Sequence, residues 1–255
     1  MPLQSPPKGG EVSRIQPMQN PTSSLVLRGI SSMATQAILA DVTQVYQAQT
    51  GVAVQIESVG GVDAAKRVQA GEAFDVVLLA SDAIERLMAS GHVLADSRSD
   101  WVRSPVAIAV QAGAAHPDIG SEAALRAAVL SAPSLGFSTG PSGAYLNQLL
   151  ARWGIAEQVT PRIVVPPPGT PVGTLVARGE VALGFQQLSE LMALPGIEVL
   201  GTLPPEVAYI TKFSAGIPQA IGHDAARVKA VQAFLSFLTS PDLEDVKRRQ
   251  GMDWL

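Results

Sequence analysis

Residues 75–80, DVVLLA, run apolar without a break after the aspartate. A strand with no polar alternation has both faces covered, the mark of a parallel sheet buried beneath helices. The segments around it follow the same logic. Residues 25–30 (LVLRGI), 52–57 (VAVQIE), 134–137, 162–165, 181–185 and 197–200 read as further strands. Helical spacing fills the gaps: Ala34, Ile38, Val42 and Val45 lie three or four apart before Gly51 stops the helix. Helices are also expected at 64–70, 82–89, 121–130, 144–153, 171–178, 187–192, 224–238 and 242–250, with Pro241 separating the last two. Such alternation specifies an α/β fold with mixed, mostly parallel sheets.

With 255 residues the chain can bury a core large enough for one large domain or two small ones. Lys and Arg number 18 against 22 Asp and Glu, and no basic run occurs, which argues against a nucleic-acid partner. The absence of cysteine removes disulfides, Fe–S clusters, thiolate zinc sites and cysteine nucleophiles together. His92, His116 and His223 have no metal-ligand spacing, and no phosphate loop, dinucleotide fingerprint or GxSxG elbow is present. No cofactor and no metal are therefore expected. No segment reaches the roughly 18 apolar residues of a membrane span, so membrane insertion is not expected either. Residues 1–23 are rich in Pro, Ser, Gly and Gln and read as a disordered tail without a secretory h-region. As encoded, this predicts a cytoplasmic protein. Were the N-terminus truncated, the expectation becomes a periplasmic one, and only then is a transporter a partner.

Ligands of open α/β sheets bind past the carboxyl ends of strands, where helices begin. Four such places carry small polar turns: Ser31-Ser32, Gly60-Gly61-Val62-Asp63, the run from Ser138 to Gly143, and Gly169-Thr170. Each offers hydroxyls or free backbone N–H groups at a helix start, which favour anions. Asp63 is read as the cap of helix 64–70. If the turns converge, they form an anion pocket.

The order of these turns, with VQAGEAFDVVLLASD, PSGAYLNQLL and VARGEVALGFQQLSEL, resembles the periplasmic molybdate-binding proteins and their type II solute-binding relatives. The resemblance covers about residues 25–252. It implies a two-lobed type II periplasmic-binding-protein-like fold with a small anionic ligand in the cleft between lobes. The matched crossovers fall at 103–105 and 211–214, giving one lobe at 24–104 with 213–255 and the other at 105–212. Carried over by position, Ser32 matches a ligand-contacting serine. A second serine falls at Gly61, backbone contacts fall at Ser142 or Gly143 and at Thr170, and the ligand-binding tyrosine falls at Gln187. Two side-chain contacts expected for molybdate are thus changed. The SSM, SGAY and GFQQ segments also resemble aconitate isomerases, which interconvert unsaturated tricarboxylates on this scaffold. That resemblance implies a base, for which Asp63 is the only carboxylate in the turns. For such chemistry Arg103, Lys66 and Arg67 are the candidates to hold substrate carboxylates, and Tyr145 either supplies a phenol proton or packs within its lobe.

Overall fold

The computed structural model describes residues 25–253, so the tail expected at 1–23 lies outside the described residues. Strand β1 (Val26–Ser32) leads through a 3-10 turn (Met33–Thr35) into helix α1 (Gln36–Thr50). Gly51 ends α1 in the left-handed conformation, φ 75°, with its N–H on the Gln47 carbonyl. Then come β2 (Ala53–Val59), α2 (Gly61–Gln69), β3 (Val76–Ala80) and α3 (Ser81–Ala89). All five residues of β3 are buried, as its unbroken apolar run requires.

Strand β4 (Ser99–Gln111) is the pivot of the architecture. After it follow α4 (Glu122–Ser131), β5 (Leu135–Gly136), α5 (Pro141–Arg152), α6 (Ala156–Val159), β6 (Ile163–Val164), α7 (Val172–Ala177), β7 (Leu183–Gln187), α8 (Leu188–Leu191) and β8 (Ile197–Thr202). Strand β9 (Ile210–Gly216) and helices α9 (Ala225–Leu238) and α10 (Glu244–Arg249) close the chain. The strands pair in the order β2, β1, β3, β9, β4, β7, β5, β6, with β8 also on β4. Pairing is parallel in the outer ladders, β1 with β2 and β3, and β5 with β6 and β7. Every ladder that involves β4 or β9 is antiparallel.

Residues 99–105 of β4 pair with β9, whereas 106–111 pair with β7 and β8. The change of partner falls directly after Pro105, which has no N–H to give to a ladder. The core divides accordingly. Leu27, Val42, Trp101, Phe213 and Phe234 share one cluster, and Ile30, Val68, Phe74, Leu79 and Ile84 cover the other face of the first half-sheet. Ile108, Leu125, Leu149 and Phe185 belong to a cluster in the second half. The result is the mixed α/β, two-lobed architecture in which β4 and β9 cross between halves.

Asp75, directly before β3, is buried and binds across the first half: its carboxylate accepts from the Arg28 N–H at 2.7 Å and from Arg227 of α9 at 2.6 Å. The β3–α9 link thus rests on an ion pair as well as on packing. Among the described residues no helix is long and apolar enough to cross a membrane.

Candidate functional site

The helices begin earlier than their hydrophobic pattern suggests, and this moves the turn residues into helix first turns. Gly60, not Asp63, is the N-cap of α2, and no side chain caps it. Asp63 instead occupies the first turn with its side chain half exposed, 4.0 Å from Lys66 Nζ. A carboxylate there is favoured by the helix dipole without a capping hydrogen bond. Pro141 opens α5 because its fixed φ suits a first turn, so Ser142 and Gly143 lie within that turn.

Ser31 and Ser32 are the last residues of β1. Ser31 Oγ lies 2.7 Å from Ser58 Oγ, and the Ser32 carbonyl accepts from Thr35 Oγ1 at 3.2 Å. Ser32 Oγ is buried and has no hydrogen-bond partner among the described residues. Gly61 comes against it: a Cβ built on Gly61 would sit 3.6 Å from Ser32 Cβ. That is ordinary contact, so packing does not demand glycine at 61. Gly143 differs. A Cβ there would lie 1.5 Å from the Ser138 carbonyl oxygen, so only glycine fits. Ser138 Oγ accepts from the Gly140 N–H at 3.2 Å, which tightens the same turn.

The other half of the cluster hangs on β7, whose five residues are all buried. Gln187 ends the strand and is the N-cap position of α8. Its Nε2 donates to Thr211 Oγ1 of β9 at 2.6 Å, while its Oε1 is buried without a partner among the described residues. Ser189 Oγ donates to the Ala34 carbonyl at 2.8 Å, tying α8 to the turn that follows Ser32. The Ser189 N–H reaches Ser104 Oγ of β4 at 3.4 Å. The ends of β1 and β7 and both crossover strands therefore meet in one patch of buried hydroxyl and amide groups.

The turn at Gly169 (φ +77°) and Thr170 leads into α7, which is bonded to β7 one residue before Gln187. The Thr170 N–H is held by the Pro167 carbonyl at 3.0 Å. The Gly173 N–H of α7 donates to Gln186 Oε1 at 3.2 Å, and Gln186 Nε2 donates to Glu190 at 2.8 Å. Burial pushes the Glu190 carboxyl up to about 7; hydrogen bonds from the Gln186 side chain and the Gln187 N–H offset only part of that. Glu190 stands three residues after the N-cap Gln187 and binds its N–H, the reach-back half of a capping box. The sequence reading missed it because it weighed only carboxylates inside the four turns. A glutamate three residues beyond a strand end was the cue. Thr211 and Ser104 were missed as well, since buried hydroxyls within strands carry no local pattern.

Three further candidates have partners in the structure. The Arg67 guanidinium is taken up by Glu57 and Glu72 at 2.6 Å each and lies over the Phe74 ring, so it is not available to a ligand carboxylate. Arg103 sits beside Asp253 at 3.9 Å, its backbone bridged to the same residue. Tyr145 donates its hydroxyl to the Val207 carbonyl at 2.8 Å and stacks on Tyr209, centroids 4.3 Å apart. Burial, with Asp82 and Tyr145 nearby, raises the Tyr209 phenol above its usual range. A hollow of about 440 Å³ lined by Gln111, His116, Ala128 and Leu183 lies at the opposite end of β4 and β7 from Gln187. For the parallel strands β5 and β7 this is the amino end, and ligands of such sheets bind past the carboxyl ends. Among the described residues no group of three or more His, Asp or Glu has a metal-holding arrangement.

Over residues 27–253 the chain matches the model of a family described as bacterial extracellular solute-binding protein. It is similar to an aconitate isomerase from a Pseudomonas species, 36% identical over 231 residues that span 88% of this chain and 86% of that protein. The structure resembles the periplasmic molybdate-binding protein of Azotobacter vinelandii, TM-score 0.73 at 20% identity, covering 90% of this chain and 99% of that one. It also resembles the sulfate-binding protein SubI of Mycobacterium tuberculosis H37Rv, TM-score 0.71 at 15% identity, covering 91% and 87%. At these identities the two structural likenesses concern the fold.

Proposed function

The chain belongs to the bacterial extracellular solute-binding proteins, and from that premise we propose that it binds a small anion, an organic carboxylate or an oxyanion, between two lobes. The lobes are residues 24–104 with 213–255, and 105–212. They close by hinge motion at the two crossovers. One observation carries the reading: among the described residues Ser32 Oγ, a hydroxyl that can donate to an anion, and the Gln187 amide oxygen are buried without partners, at strand ends linked by the Ser189–Ala34 bond, and the Gln187 amide offers an anion its N–H donors once it is turned over. Buried polar groups are nearly always satisfied, so unsatisfied ones mark a place for a ligand. Ser31, Gly60, Gly61, Ser138, Ser142, Gly143 and Thr170 supply the remaining polar wall. Tyr145 already donates its hydroxyl to Val207, whereas Arg103, 3.9 Å from the exposed Asp253, stays a candidate to hold a ligand carboxylate. Gln187 in place of a tyrosine favours a carboxylate, whose oxygens an amide binds well. A thermal-shift panel of molybdate, sulfate, phosphate, citrate and trans-aconitate tests it: a bound anion raises the melting temperature by mass action, and no shift with any of them refutes it. In an exported form, such a protein would hand its ligand to an ABC transporter.

A second reading is turnover of an unsaturated polycarboxylate, favoured by the 36% identity to an aconitate isomerase across most of both chains. Allylic isomerisation moves a proton from one carbon to another, so the site must hold a group that accepts and returns it. Asp63, half exposed and beside Lys66, is one carboxylate candidate. Incubation with trans-aconitate followed by assay for the cis isomer decides between turnover and binding alone, and Asp63→Asn tests the base.

A further inference from the structure

Thr211 lies outside the four ligand-binding turns, yet it makes the one side-chain hydrogen bond that orients Gln187. Both residues are buried, Gln187 2% and Thr211 5% exposed. With Nε2 on Thr211, the amide leaves its carbonyl oxygen bare. A bare carbonyl oxygen is an acceptor and repels an anion. A half-turn of the amide about its terminal torsion reverses this: Oε1 then faces Thr211, and two N–H donors face the ligand. The reversal requires a partner that accepts from Nε2 in one state and donates to Oε1 in the other. A hydroxyl does both. Thr211 Oγ1 now accepts, and its own proton has no acceptor among the described residues, so it is available to donate.

The geometry points to Thr211 as the positioning residue that turns the Gln187 amide from acceptor to donor when an anion binds. This rests on the anion-binding reading above. Thr211 stands on β9, opposite Ser104 of β4 in the ladder between the two crossovers. The reorientation therefore takes place on the strand that links the lobes, and the Gln187 donor set responds to the hydroxyl at that crossover.

The test is calorimetric titration of the full chain with trans-aconitate and with molybdate. Thr211→Val keeps the side-chain shape and removes the hydroxyl. For whichever probe the wild type binds, the variant is expected to lose about tenfold or more in affinity, the scale of losing the hydrogen bond that the Gln187 amide, held by Thr211, makes to the charged ligand. Thr211→Ser restores affinity to within roughly threefold, since it keeps the hydroxyl. In a Gln187→Leu background, Thr211→Val costs nothing further, because Thr211 acts only through the amide. Wild-type affinity in Thr211→Val, a Ser variant as weak as the Val one, or the same loss in the Gln187→Leu background would each overturn the assignment while leaving anion binding intact. A wild-type protein that binds neither these probes nor any anion of the thermal-shift panel would remove the anion-binding reading itself, and this inference with it.

Discussion

Ser32 and Gln187 carry the argument at the scale of single side chains. Replacing Ser32 by Ala removes a hydroxyl that has no partner among the described residues, so folding stability should stay within about 0.5 kcal/mol of wild type. Anion affinity should fall by about 10- to 100-fold, the worth of one hydrogen bond to a charge. Calorimetry and thermal melts of the same variant read the two effects separately. Glu190 gives a pH prediction. Unfolded, it titrates near 4.5; folded, near 7. Between those values the folded state holds the extra proton, so its contribution to stability falls as pH rises from about 5 to 7 and is flat above. Glu190→Gln should remove that fall, on the order of 2–3 kcal/mol, seen as urea midpoints that converge at pH 5 and 8. Both glutamine positions were visible in the GFQQ segment, and Ser32 in its turn. Thr211, a hydroxyl inside a strand, was not, because its role is set by a neighbour 24 residues away.

Among the elements, turn chemistry decides where helices start. Hydrophobic spacing placed α5 at 144, but Pro141 starts it and thereby draws Ser142 and Gly143 into the first turn. In the same way Gly60 starts α2 ahead of Asp63. Short strands such as β5 and β6, two residues each, were legible because flanking Pro and Gly bounded them. The crossover at 103–105 came from the family resemblance rather than from a local pattern, since ladder pairing is set by distant strands. Gly143→Ala puts a methyl 1.5 Å from the Ser138 carbonyl oxygen, so the turn must open. We expect a loss of at least about 2 kcal/mol, a drop in Tm of roughly 4–8 °C, together with loss of anion binding. Gly61→Ser, at an ordinary 3.6 Å contact, should fold normally and serves as the control.

The whole molecule depends on links between segments far apart in the chain. Asp75 and Arg227 are 152 residues apart, and the buried carboxylate also accepts the Arg28 N–H. Arg227→Ala leaves that carboxylate buried with one backbone donor. The expected cost is about 3 kcal/mol, at the low end for a broken buried pair because the arginine side chain is 38% exposed. Chemical denaturation reads it directly. The strand–helix alternation specified the α/β class, and the resemblance specified two lobes; no local pattern specified which hydroxyls the crossovers would bring together. Backbone amide shifts in an NMR titration with the anion of strongest thermal shift test the central claim most directly. The largest changes should cluster at residues 31–34, 60–62, 142–144, 170–173 and 187–189, from both halves of the chain. Changes centred on 111–117 and 179–183, at the far end of β4 and β7, would contradict the account.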